Sequence, residues 1–259
     1  MFNHIRFGNG TDEIFFLHGW GGSCDSFMGV AKFLSNNYKV TLLDFYGFGL
    51  TPQIYRPLRV DDYVLGVVEL INNYNLKKIN IICHSFGGRV AIKLATGYSD
   101  LIDKIIFIDS AGVKPRRGIK YFIKIFQAKI YKKFNVSKVI GSEDYIKLNV
   151  IQKETFKNIV NENLSKYLKS IKNETLLVWG DKDKDTPIYM GRKFNRKIKN
   201  SKLIVFKGCG HFAYIERHVV FCKIIVKFLS GGINALGDRR GTCVSRRSGA
   251  IKIPMPFSK

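Results

Sequence analysis

Ile79-Asn-Ile-Ile-Cys-His-Ser-Phe-Gly-Gly88 decides the reading of this chain. Ile79, Ile81, Ile82 and Cys83 make a short apolar run of strand character, and a helical pattern follows the two glycines. A strand that turns sharply into a helix at Ser85 strains the serine backbone and needs small neighbours two residues to either side. Such a turn exposes the hydroxyl and sets the next N–H groups at a helix N-terminus, where developing negative charge is stabilised. Gly87 meets the size requirement on one side, while Cys83 is small but brings a Cβ to the other. Ser85 is therefore a candidate nucleophile, against the plainer alternative of a turn serine capping a helix over 87–97.

Outward from this turn, strand-like runs recur at Ile14–Leu17, Lys39–Leu43, Ile79–Ile82, Lys104–Ile108, Leu176–Trp179 and Leu203–Phe206. Helical patterns lie between them, near 26–36, 61–73, 87–97, 189–199 and 213–229, with Asp25 and Asp61 at expected N-caps. Continuous apolar strands alternating with helices predict an α/β fold, a mostly parallel central sheet with helices on both faces. The alternation lapses over 113–173, which reads as a helical cap inserted between core strands. In its 119–134 stretch Ile119, Phe122, Ile123, Phe126, Ile130 and Phe134 share one face, with lysines mostly opposite. The expected organisation is thus a core of 1–112 and 174–230, a cap of 113–173 and a disordered tail of 231–259, where four of the chain's arginines gather without apolar periodicity.

The chain has 259 residues, 46% of them hydrophobic, enough for a sizeable core and against wholesale disorder. No run of some 18 apolar residues is present, and the N-terminus shows no apolar signal region, so a cytoplasmic protein is expected. The five cysteines, Cys24, Cys83, Cys209, Cys222 and Cys243, form no CxxC pair, which fits reduced thiols better than disulfides or zinc. The net charge of +23 comes mainly from dispersed lysines rather than an arginine patch. No specific nucleic-acid partner is expected. A weak anionic membrane contact through 119–134 is the one surface role the pattern suggests.

Three further segments carry chemistry. Ile14–Ser23 ends a strand in His18-Gly-Trp-Gly-Gly22, whose glycines let backbone N–H groups face a site. The expected oxyanion hole is the backbone N–H of Trp20 and Phe86, with His18 holding its loop. Leu176–Pro187 ends a strand in a turn bearing Asp181, Asp183 and Asp185, and Asp109 after the preceding strand is a fourth candidate acid. Phe206–Glu216 places His211 between a strand and a helix, the position suited to a general base.

The order Ser85, Asp183, His211, with HGWGG early, resembles the α/β-hydrolase superfamily, most closely its capped esterase and C–C-bond hydrolase branch. Asp44–Thr51 is similar to the D-x-x-G-x-G-x-S turn of these proteins. The resemblance spans residues 14 to about 229, and its G-x-x-D-x-x-x-P pattern puts the acid on Asp183. It implies Ser85 as nucleophile, His211 as base, Asp183 as orienting acid, and no metal or organic cofactor. The implied activity is acyl-enzyme hydrolysis of a small carboxylic ester. Alternatives are C–C-bond hydrolysis beside a ketone, a lipid-surface esterase, and a non-catalytic ligand-binding member. The partner is then a small ester or ketone. Two departures stand out, Cys83 in place of a glycine and a first strand that looks missing or short.

Overall fold

The computed structural model describes residues 1–114 and 148–236, and the backbone of 242–244. Eight strands form one sheet: β1 (His4–Phe7), β2 (Glu13–Leu17), β3 (Lys39–Leu43), β4 (Ile79–His84), β5 (Ile102–Ile108), β6 (Glu174–Gly180), β7 (Ser201–Phe206) and β8 (Thr242–Val244). Their spatial order is β1-β3-β2-β4-β5-β6-β7-β8, and every pair is parallel except β1 with β3. The order reverses at β2, which lies between β3 and β4. In open parallel sheets a ligand site forms where the order reverses, outside the carboxyl ends of the strands.

Alternate residues feed two cores. Phe15, Leu17, Ile81, Cys83, Phe107 and Trp179 meet α2 (Val60–Asn73), α3 (Phe86–Gly97) and α5 (Ile188–Lys197) on one face. Ile14, Phe16, Ile82, Ile106 and Val178 meet α1 (Met28–Leu34) and α7 (His218–Gly231) on the other. Burial on both faces explains why these strands read as unbroken apolar runs. Helix α3 lies so close to β2 that a Cβ at Gly87 would stand 2.1 Å from the Leu17 carbonyl oxygen.

Several boundaries differ from expectation. The first strand, expected to be missing or short, is present and short: β1 pairs antiparallel at the sheet edge, its Arg6 bidentate to buried Glu13 at 2.8 and 3.1 Å. It hides from pattern reading because four residues with polar His4 and Arg6 make no apolar run. The expected caps shift too. Ser23, not Asp25, caps the short 3₁₀ turn Cys24–Phe27 before α1, and Asp62, not Asp61, accepts the Arg59 N–H at the start of α2. The helix expected over 213–229 breaks at Arg217 into α6 (Ala213–Glu216) and α7. Within the 231–259 segment, α7 runs through Gly231, Asn234–Leu236 forms a 3₁₀ turn and Thr242–Val244 pairs with β7, while 237–241 and 245–259 lie outside the described residues.

Of the expected cap, helix α4 (Val150–Asn161) and a 3₁₀ stretch at Leu164–Ser170 are described, while 119–134 lies outside the described residues. Asn149 caps α4 through the Gln152 N–H. Helix α4 docks on the core where Thr155 Oγ1 accepts the Leu58 N–H at 2.9 Å and Asn158 donates to the Leu58 carbonyl at 3.2 Å. Buried Arg89 of α3 donates to the Glu162 carbonyl at 2.8 Å, just past the end of α4. Among the described residues no helix is long and apolar enough to cross a membrane.

Candidate active site

The candidate residues follow the carboxyl ends of β2, β4, β6 and β7, with Ser85 on the strand beside the reversal point. At the end of β4, Ser85 holds φ 46° and ψ −110°, backbone values an L-residue rarely adopts. Three hydrogen bonds fix the turn: the Ser85 N–H to the Ile108 carbonyl at 3.2 Å, and the Gly88 and Ala111 N–H groups to the Ser85 carbonyl at 3.1 and 2.9 Å. Cys83, the departure from glycine, is fully buried and its Sγ donates to the Ile106 carbonyl at 3.4 Å, so the turn accommodates it. Burial pushes that thiol's pKa upward. The Ser85 hydroxyl is left half-buried at the head of α3.

After β2, buried His18 accepts the Phe45 N–H on Nε2 at 3.0 Å. Its Nδ1 therefore carries the proton, donated to the Gly19 carbonyl at 2.7 Å, and burial lowers its pKa to about 4. Asp44 braces the next loop, accepting the Cys24 N–H at 2.6 Å, the Leu50 N–H at 2.9 Å and Asn3 Nδ2 at 2.8 Å. Burial alone would raise its pKa, but these donors outweigh it and hold the carboxylate below the usual range. Trp20 then stands over the site, its ring 4.9 Å from Phe48, 5.7 Å from Phe86 and 5.1 Å from Phe156 of α4. Among the described residues no turn or loop hydrogen bond uses the backbone N–H of Trp20 or Phe86. Phe86 is the first residue of α3, where such donors lack intrahelical partners.

The structure separates the four candidate acids. Asp181 turns aside to accept the Gly208 N–H at 2.6 Å, and Asp185 is exposed. Asp109, at φ 41° after β5, is wholly buried and accepts the Gly180 and Ala213 N–H groups at 2.8 and 3.3 Å. Asp183 alone reaches the imidazole: His211 Nδ1 lies 2.9 Å from its Oδ2, and His211 Nε2 lies 3.0 Å from Ser85 Oγ. The Asp183 carboxylate is further held by the Asp185 N–H, the Thr186 N–H and Thr186 Oγ1 at 2.6–3.0 Å. Burial works to raise its pKa, yet His211 and Thr186 keep it lowered. Because Oδ2 accepts from Nδ1, Nε2 is free to receive a proton from the hydroxyl. That arrangement can activate a nucleophile and return its proton to a leaving group.

Thr186 and His84 are neighbours that pattern reading passes over. Thr186 Oγ1 bridges Asp183 Oδ2 and the Asp109 carbonyl at 2.8 Å, and His84 Nε2 lies 2.7 Å from the His211 carbonyl. A threonine after three acids resembles any turn threonine, and His84 lies 127 residues from its partner. Asp183, Asp185 and His211 form the one described group whose His and carboxylate atoms crowd closely enough for a cation. Asp183 already accepts four hydrogen bonds there, so its lone pairs are committed.

The alpha/beta hydrolase fold family model matches residues 13–148 and 132–218. The chain belongs to this family. Two relatives are named as hydrolases of 2-hydroxy-6-oxo acids. A Pseudomonas 2-hydroxy-6-oxononadienedioate/2-hydroxy-6-oxononatrienedioate hydrolase is 22% identical over 255 residues, covering 86% of this chain and 89% of the relative. The 2-hydroxy-6-oxo-6-phenylhexa-2,4-dienoate hydrolase of Comamonas testosteroni is 25% identical, covering 84% and 87%. Among solved structures, a meta-cleavage product hydrolase from Pseudomonas fluorescens superposes with a TM-score of 0.69 at 21% identity, over 88% of this chain and 94% of that one. A thermophilic esterase from Thermogutta terrifontis superposes as well, with a TM-score of 0.71 at 19% identity, over 88% of this chain and 93% of that one.

Proposed function

We propose that this hydrolase uses Ser85, His211 and Asp183 to cleave a carbon–carbon bond beside a ketone in a small conjugated keto acid. The observation that supports it is the unbroken relay from Ser85 Oγ through His211 to Asp183, at 3.0 and 2.9 Å. The relatives favour this bond over the small carboxylic ester, which the same relay would also serve.

Ser85 Oγ attacks the ketone carbon as His211 Nε2 takes the hydroxyl proton, and Asp183 fixes the imidazole tautomer and stabilises the imidazolium. The new oxyanion is received by the N–H groups of Trp20 and Phe86, the latter backed by the α3 dipole. The C–C bond then breaks. This requires the 2-hydroxy diene to have tautomerised to the 2-oxo-3-ene, so that the electron pair passes through the remaining C=C bond into the 2-carbonyl as a dienolate, whose terminal carbon takes the proton from His211. Water, deprotonated by His211, attacks the acyl-serine and releases a carboxylic acid, restoring Ser85. Beside Trp20 lies a small recess with Phe48, Tyr63 and Leu58 on its walls and Gln152 from α4 at its edge, with room for about one water molecule.

Turnover of a 2-hydroxy-6-oxo-6-phenylhexa-2,4-dienoate is to be compared with p-nitrophenyl acetate, butyrate and octanoate, for wild type and Ser85→Ala. The expected result is higher kcat/KM on the dienoate, with Ser85→Ala folded and slower by about 10⁴-fold or more. Preference for an ester would move the assignment to the ester bond. Wild-type rates in Ser85→Ala would remove the nucleophile.

A further inference from the structure

His84 is the residue before the nucleophile, and its imidazole is buried among the machinery without belonging to the relay. Its ring centroid lies 4.7 Å from that of His211, 5.1 Å from Phe212 and 5.3 Å from Tyr214. The His211 carbonyl can only accept, so at 2.7 Å His84 Nε2 must carry the proton and donate it. The other nitrogen, Nδ1, faces Gly19, where a Cβ would stand 2.9 Å away and also 3.3 Å from Ser85 Cβ. Gly19 immediately precedes Trp20. Through one ring, then, the β4 turn touches the histidine loop and the oxyanion loop, segments that share no strand.

We infer that His84 is a positioning residue: its N–H fixes the main chain of His211, and its ring, admitted by the bare Cα of Gly19, sets the distance from the Ser85 turn to the Trp20 loop. The inference rests on the hydrolase reading of Ser85 and His211. Burial, with His211 nearby, lowers the His84 pKa to about 3, so the donor stays neutral wherever the relay works.

Methionine and glutamine are close in volume and differ in the N–H, so His84→Gln and His84→Met separate hydrogen bonding from packing. His84→Gln is expected to keep kcat within about fivefold, and His84→Met to lose about 10–10²-fold in kcat with KM within about twofold, the scale of a misplacement near 1 Å. The rate of Ser85 labelling by a fluorophosphonate should fall in parallel, since it reads the serine–histidine geometry without substrate. Equal losses in the two variants, or losses confined to melting temperature, would overturn the inference. Gly19→Ala supplies an independent arm. It should cost about tenfold or more in the wild-type background and much less in His84→Ala, where its obstacle is gone; additive costs would also overturn it. An unlabelled, inactive wild type is a different outcome. It would sink the hydrolase reading, and this inference with it.

Discussion

Asp109 and Asp183 leave the carboxyl ends of adjacent parallel strands, β5 and β6, and both are buried, yet their surroundings drive them in opposite directions. Asp109 accepts two backbone N–H groups, from Gly180 and Ala213, and faces the charge of Asp183; burial wins and its pKa rises well above the carboxylate range. Asp183 receives two N–H groups, a threonine hydroxyl and an imidazole, and these outweigh burial. Deeper burial beside a second carboxylate, with fewer donors, separates Asp109 from Asp183. One carboxyl braces the floor of the site by holding β6 and the histidine loop, while the other remains an anion able to stabilise an imidazolium.

The comparison is broken most directly by exchanging each acid for its amide. Asp183→Asn should slow turnover by about 10⁴-fold, as when a triad acid elsewhere loses its hold on the histidine tautomer. Asp109→Asn should cost less than about 10²-fold, the order of a positioning defect. If Asp109→Asn proves the more crippled enzyme in steady-state assays, the assignment of the acid is reversed.

A smaller effect sharpens the contrast through stability. Asp183 has a lowered folded-state pKa, so its contribution is full above the unfolded value near ~3.9 and is lost as pH falls. The stability gap between wild type and Asp183→Asn should therefore close towards acid. Asp109 has a raised folded-state pKa; its contribution is full below ~3.9 and is lost as pH rises through the folded value. The gap between wild type and Asp109→Asn should narrow in the alkaline direction. Urea denaturation from pH 3 to 9 measures both, and parallel trends would contradict the opposed environments.

The parts of the fold legible in the sequence were those written in local pattern. Six strands buried on both faces read as apolar runs, and Ser85 and His211 each sit where glycines punctuate a strand-to-helix passage. Asp183 was harder: local chemistry left four aspartates in competition, and only family pattern chose among them. What separates them is contact over distance, such as the Gly208 N–H that diverts Asp181 or the Ala213 N–H that engages Asp109. Strand β1 is short, one of the two expected possibilities, and its place is not legible locally because it is held by Arg6 on Glu13 and by His4 Nε2 on Tyr74 Oη at 2.7 Å rather than by its own apolarity. His84 gave no signal at all. A spacer in a turn motif acquires meaning only when the loop of residue 211 closes onto it.

The chain's two tryptophans make the molecule its own optical probe. Trp179 is sealed in the sheet, its indole N–H on the Thr186 carbonyl at 2.6 Å, and should emit as a constant blue-shifted background. Trp20 stands between the Ser85 helix and Phe156 of α4. Any compound binding beside Trp20, or any lift of α4 away from the core, changes the polarity around a single indole. With Trp179→Phe removing the background, emission from Trp20 alone would time ligand entry and α4 displacement in the native chain, without a label.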